Sequence, residues 1–231
     1  MDPQIARSYD LGRMDYDSAY ALQRAIQEEQ VAGRRGATVL VVEHPATVTL
    51  GRRGSHDDVV APTAVLAQRG VRVVETDRGG QVTYHGPGQL VCYPLVQVAH
   101  LGLHVYMRAL EEAVMKTLLR WNIEGYRVEG RTGVWVGKEK ICAMGIRVRK
   151  WWSLHGLALN ITTDLNHFGL IIPCGIRDRG VCSMRKILGA ATPEWATVRE
   201  ELLGHLAREL QITIEPGNPA ELTSLVSTAT G

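Results

Sequence analysis

The 231-residue chain carries 26 Lys plus Arg against 24 Asp plus Glu, a formal net charge of +2, and is 45% hydrophobic. Near-neutrality gives no bulk electrostatic reason to expect a nucleic acid, and neither a cationic leader nor a run of about 18 apolar residues points to secretion or a membrane. The expectation is one soluble, cytoplasmic catalytic-sized domain over 1–231 with reduced thiols, of which 215–231 is a small, polar, loose tail.

The segment 17–30, "DSAYALQRAIQEEQ", reads as a helix capped by Asp17 or Ser18, with Tyr20, Leu22 and Ile26 at roughly helical spacing. "ATVLVVEHPATVTLG" then gives a strand, a break at Pro45 and a second strand. "APTAVLAQRG" is a short helix ending in glycine, while "VRVVETD" and "GQLVCYPLVQV" return to β-rich composition. Over 106–121, Leu110, Val114, Leu118 and Trp121 form one apolar stripe, which marks a core helix. Residues 127–164 alternate β-rich runs with turn residues, and "VGKEK" connects a hairpin between Trp135 and Ile141. Thr192 as cap and Pro193 at the first helical position open a last helix with Trp195, Val198, Leu202 and Leu206 on one face. Strand runs with helices at their ends and edges predict an α+β fold, a mixed and largely antiparallel sheet flanked by helices.

The densest group of backbone-special residues is "DRGGQVTYHGPGQL", residues 77–90, with four glycines, Arg78 and His85. It reads either as a wall folded closely around a ligand or as a hairpin with tight turns at both ends. It has neither the Gly-Lys-Ser/Thr of a phosphate loop nor the order of a dinucleotide site. Four cysteines, Cys92, Cys142, Cys174 and Cys182, lack paired C-x-x-C spacing, so a disulfide framework or a metal site is not expected. Cys92 and Cys142 sit in β-rich runs and read as core. Cys174, between a proline and a glycine, is either a plain loop cysteine or a nucleophile presented at an element boundary; a nucleophile needs a neighbouring cation or base, for which Lys138, Lys140, His85, His155 and His167 are candidates.

Taken in order, "VVEHPATVTLGRRG", "RGGQVTYHGPGQL", "KICAMGIRV", "HGLALNI" and "IIPCGI" resemble the octanoyltransferases of lipoate biosynthesis, the LipB family, over about residues 38–184. The resemblance implies the catalytic fold shared with biotin and lipoate protein ligases. It also implies transfer of an octanoyl group from acyl carrier protein to a specific lysine of lipoyl domains, those of 2-oxoacid dehydrogenases and of the glycine cleavage H protein, without ATP, cofactor or metal. On that reading Cys174 is the nucleophile that carries the acyl group as a thioester and Lys140 is its activating partner. Arg78, Gly79, Gly80, Gln81, Val82, Thr83, Tyr84 and His85, then Ala143, Met144 and Gly145, then Gly156, Leu157 and Ala158, match the substrate-contacting segments. Cys142 departs from the alanine common in similar sequences. Backbone N–H groups near Gly175 or in a 143–145 turn are candidate oxyanion donors, and Arg34, Arg35, Arg52, Arg53, Arg147 and Arg149 are candidates for steering an acidic carrier protein. An ATP-dependent lipoate or biotin ligase is the alternative, and a cysteine hydrolase or a non-catalytic carrier-binding module stays open.

Overall fold

The structure, a computed structural model, describes residues 4–172, 180–222 and 225. Eleven strands run in chain order as β1 (Gln4–Arg13), β2 (Ala37–Glu43), β3 (Thr47–Leu50), β4 (Arg72–Glu75), β5 (Val82–His85), β6 (Gln89–Leu95), β7 (Tyr126–Val128), β8 (Arg131–Val136), β9 (Glu139–Arg149), β10 (Trp152–Asn160) and β11 (Ile212–Pro216). The helices are α1 (Tyr16–Val31), α2 (Thr63–Gln68), α3 (Leu103–Leu119), α4 (Met184–Leu188) and α5 (Trp195–Leu210).

An eight-stranded sheet has the order β11-β1-β2-β6-β10-β9-β8-β7, and a three-stranded sheet the order β4-β3-β5. Pairing is antiparallel from β2 through β7 and parallel at β11-β1-β2 and β3-β4. The mixed, largely antiparallel α+β architecture is therefore present. Strands β2 and β6 are buried on both faces and read as continuous apolar runs, as central strands do. One face packs on α3 and α5 through Val41, Cys92, Leu157, Leu110, Val114 and Leu202. The other packs on α1 through Leu40, Tyr93, Ala158, Leu22 and Ile26. The small sheet has its own cluster, which includes Val48, Tyr84 and Phe168.

Several boundaries differ from those predicted. Helix α1 is capped by Asp15, whose carboxylate accepts the Ser18 N–H at 2.9 Å, so Asp17 lies in the first turn and pairs with Arg72 instead. The last helix begins at Trp195 and not at Pro193, because the Thr192 hydroxyl donates to Gly189 O and closes the preceding turn. Helix α3 begins three residues early and ends at Leu119, leaving Trp121 in the following turn. Residues 212–222, partly assigned to a loose tail, are held: β11 pairs with β1, Tyr9 donates to Glu221 at 2.7 Å, and Leu222 is buried. The segment 82–95 is no hairpin, since β5 belongs to the small sheet and β6 to the large one. The chain thus crosses between sheets at Gly86–Gly88, and the cavity opens beside that crossing.

Leu110 on α3 is fully buried against the sheet. Leu110→Ala is expected to cost about 2–5 kcal/mol in urea unfolding. A cost below about 1 kcal/mol would show that α3 does not seal this core.

Candidate active site

A cavity of about 590 Å³ opens on the α1 side of the large sheet. Its floor is made by neighbouring strands: Gly145 pairs with Gly156 and Ala143 with Ala158, so two motifs 13 residues or more apart in sequence become one surface with almost no side chain. Its wall is the 78–85 segment, pinned to the floor by the Gly79 N–H donating to Ile146 O at 3.0 Å. That closeness explains a glycine at 145, where a Cβ would stand 2.6 Å from Gly79 O.

Arg78, 7% exposed, does not reach out for a ligand; it donates to Thr49 O at 2.7 Å, to Thr49 Oγ1 and to Gly79 O, and so ties β3 to the wall. Of the expected contact residues, Gly79, Gly80, Gln81, Val82, Thr83, His85, Ala143, Met144, Gly145, Gly156, Leu157, Ala158 and Lys140 all line the cavity with Arg78. Tyr84 does not. Alternation along β5 turns it to the other side, where its hydroxyl bonds His167 Nδ1 at 3.0 Å and its ring meets Phe168. Cys174 lies outside the described residues, as does Gly175. Their flanks are fixed: Ile172 N donates to Asp58 O at 2.8 Å, and Gly180 O accepts the Lys140 N–H at 3.0 Å.

Lys140 reaches the cavity because of an irregularity in β9. Val134 pairs with Cys142 but Trp135 pairs with Lys140, so Ile141 is an extra residue on β9. Below it Val134 and Cys142 face the α3 core; above it the alternation is reset, and Trp135 and Lys140 share the opposite face. The Lys140 ammonium sits over the Trp135 ring, 4.9 Å from its centroid. The turn between them is two residues, Gly137-Lys138, with Gly137 at φ 56°.

The polar end of the cavity is a group of buried imidazoles and phenols. His85 Nδ1 lies 2.8 Å from Gln89 Oε1, while the Gln89 amide donates to Tyr84 O and Asn160 Oδ1. The carbonyl oxygen of Gln89 makes His85 Nδ1 the donor and leaves Nε2 as an acceptor. Burial, then the neighbouring His44 and Arg78, hold His85 well below the usual histidine range. His155 adopts φ 61°, rare for a side chain of its size. Gln23 Oε1 takes its N–H at 2.9 Å, Asp77 Oδ1 accepts from its Nε2 at 2.8 Å, and Tyr20 stacks on it at 5.3 Å. Burial first, then Arg78 and Arg147, push it down to about 3 in spite of the Asp77 contact. Arg147 is itself paired with Asp77, so it braces this wall and is not a loose steering charge; Arg34 is likewise paired, with Glu29. His44, between Met14 O and the Tyr93 hydroxyl, is pushed down to about 4 by burial. Asp77, Gln23, Tyr16 and Tyr93 were not singled out by sequence reasoning; Asp77, immediately before the glycine-rich run, carried a legible signal, the others none.

Cys92, Cys142 and Cys182 are buried. Burial raises all three thiols, Cys142 and Cys182 to about 12, so each is protonated at neutral pH. Cys142 points into the α3 core, away from the cavity, and does not compete for thiol reagents as a thiol beside the site would. Among the described residues no three His, Cys, Asp or Glu side chains converge to hold a metal, and no helix is long and apolar enough to cross a membrane.

The sequence profile of the lipoyl protein ligase A/B catalytic domain matches residues 15–207. An octanoyltransferase of Chloroflexus aggregans is 48% identical over 203 residues, covering 86% of this chain and 91% of that protein. One from Roseiflexus is 46% identical, covering 86% and 84%. Among solved structures, a putative lipoate protein ligase of Thermoplasma acidophilum superposes with a TM-score of 0.78 at 17% identity, covering 99% of this chain and 93% of that one. A biotin protein ligase of Aquifex aeolicus gives 0.55 at 17% identity, covering 89% and 70%.

The neutral imidazoles make stability depend on pH. The folded values of His44 and His155 lie near 4 and 3, below the unfolded value near 6.5, so the unfolded chain binds more protons between them. Their stabilisation is complete above about pH 6.5 and is lost as the pH falls toward 4, by up to about 1.4 kcal/mol per pH unit for each ring. Urea unfolding at pH 7, 6 and 5 measures this, and equal stability at all three would contradict neutral burial.

Proposed function

The chain belongs to the lipoyl protein ligase A/B catalytic domain family, and on that premise we propose that it takes an octanoyl group from octanoyl-acyl carrier protein and delivers it to a specific lysine of lipoyl domains through a thioester on Cys174. Octanoyl transfer in protein lipoylation is its activity. The observation that carries the route is the turning of Lys140 into a cavity whose walls are the 78–85, 143–145 and 156–158 segments. Two further facts support it. The other three thiols are buried and protonated, and the backbone of Lys140 is hydrogen-bonded on both sides to the strand that follows residues 173–179, through Gly180 O and Cys182 N.

The steps balance without energy input. In the resting pair the Lys140 ammonium favours the Cys174 thiolate by direct attraction. The thiolate attacks the donor carbonyl, the carbonyl–sulfur bond to the carrier arm breaks, and Lys140 gives its proton to the leaving thiolate. One thioester replaces another, which is close to isoenergetic. The incoming lysine amine then attacks the enzyme thioester, Cys174 leaves as thiolate, and the now neutral Lys140 accepts the amine proton. An amide replaces a thioester, which runs downhill. Backbone N–H groups supply the oxyanion contacts. Residues 143–145 are strand and not a turn, and β8 pairs with β9 only as far as Cys142, so the edge of β9 beyond it faces the cavity. The neutral His85, with Nε2 as acceptor, serves the amide or amine N–H of an incoming arm. Acceptors are lipoyl-domain proteins, including those of 2-oxoacid dehydrogenases and the glycine cleavage H protein, and the chain works in the cytoplasm. An apolar slot of this size selects chain length by about 0.8 kcal/mol per methylene.

Intact mass after mixing with octanoyl-carrier protein in the absence of ATP tests the route. One octanoyl adduct is expected on the wild type and none on Cys174→Ser. A protein modified only when ATP and free octanoate are supplied is instead a ligase.

A further inference from the structure

Trp135 is the residue in this cavity region whose role the reaction above does not use. It is large, 1% exposed, and outside all three apolar clusters. Its cross-strand partner is Lys140, and the extra residue at Ile141 is what puts the two on one face. The base of that irregularity is held from below. Glu111 of α3, itself buried, accepts the N–H of Gly133 at 3.1 Å, and a Cβ at Gly133 would meet Cys142 O at 2.5 Å.

We propose that Trp135 is a positioning residue: its ring face holds the Lys140 side chain toward the cavity and favours its ammonium form. This rests on the reading of Lys140 as the partner of Cys174. A cation within about 6 Å of an indole centroid is attracted by the ring quadrupole, and the contact grows stronger as water is excluded. The charges around Lys140 give the ring something to offset. From β8 comes Arg131 and from across the cavity come Arg78 and the neutral His85 and His155. On its own strand Glu139 is engaged by Lys186 at 2.6 Å, with Lys138 in the turn. From α3, Glu111 is shared by Arg108 at 2.7 Å and Arg127 at 3.1 Å. The two arginines on the cavity oppose a third cation, while the two carboxylates in the neighbourhood are already neutralised by partners. A π face stabilises the ammonium without adding a base that could take its proton, which a reaction that hands a proton out and back requires.

The chain has five lysines, so the Lys140 side chain can be followed individually by NMR of protein labelled at lysine Cε, assigned by the resonance that Lys140→Arg removes. Its titration midpoint is expected to fall by about half to one pH unit in Trp135→Leu and by clearly less in Trp135→Phe. Difluorotryptophan installed at position 135 keeps the ring's shape while weakening its quadrupole, and is expected to give an intermediate fall even if the leucine variant does not fold. Equal midpoints in wild type, the fluorinated protein and Trp135→Phe would overturn the inference. Octanoyl transfer by Lys140→Met separates this from failure of the underlying reading: wild-type transfer there would remove the role of Lys140, whatever Trp135 does.

Discussion

One extra residue in a β-strand decides where the chemistry of this protein sits. Strict alternation along β9 would put Lys140 on the same face as Cys142, against α3, in an apolar core where an ammonium has no place. Ile141 interrupts the alternation, and the lysine emerges over a floor of glycines and alanines. The small residues matter for the same reason. With little side chain between the sheet and the 78–85 wall, backbone meets backbone, and the space above β9 and β10 is set by main-chain contacts that side-chain rotation cannot collapse. Arg78 then fixes the wall from behind, spending its guanidinium on Thr49 and Gly79.

Around this lysine the titratable groups are arranged so that few can compete with it. His44, His85 and His155 are neutral and serve as oriented donors and acceptors. Three thiols are protonated by burial. A transfer through Cys174 therefore takes place in a site whose other candidate bases and nucleophiles are silent at neutral pH. The left-handed backbone of His155, held by Gln23, Asp77 and Tyr20 together, is the kind of local strain that a scaffold carries where a ring must be aimed.

What the sequence made legible was whatever could be read from nearby residues. The α3 stripe of Leu110, Val114 and Leu118, the Gly137-Lys138 turn and the glycine-rich 78–88 run follow from local period and turn chemistry. The ordered motifs also pointed to the cavity segments, because each lies on one strand or one loop. The bulge at Ile141 was not legible, since it exists only as a mismatch between two strands' registers. Nor were Gln23 and Tyr20, which come from α1 to meet His155 more than 130 residues away. Strand β1 was missed because an edge strand with polar alternation and parallel partners looks like a loop in isolation. Tyr84 was grouped with its neighbours by motif, and the two-residue period of β5 separated it from them.

The account rests on the amine of residue 140 acting on the sulfur of residue 174. The pH dependence of Cys174 alkylation, with the three buried thiols as internal blanks, measures that directly. The wild type is expected to react with a midpoint clearly below the 8.5 of a free thiol, and Lys140→Met to move it upward by about one unit or more. The same midpoint in both proteins would contradict the pairing.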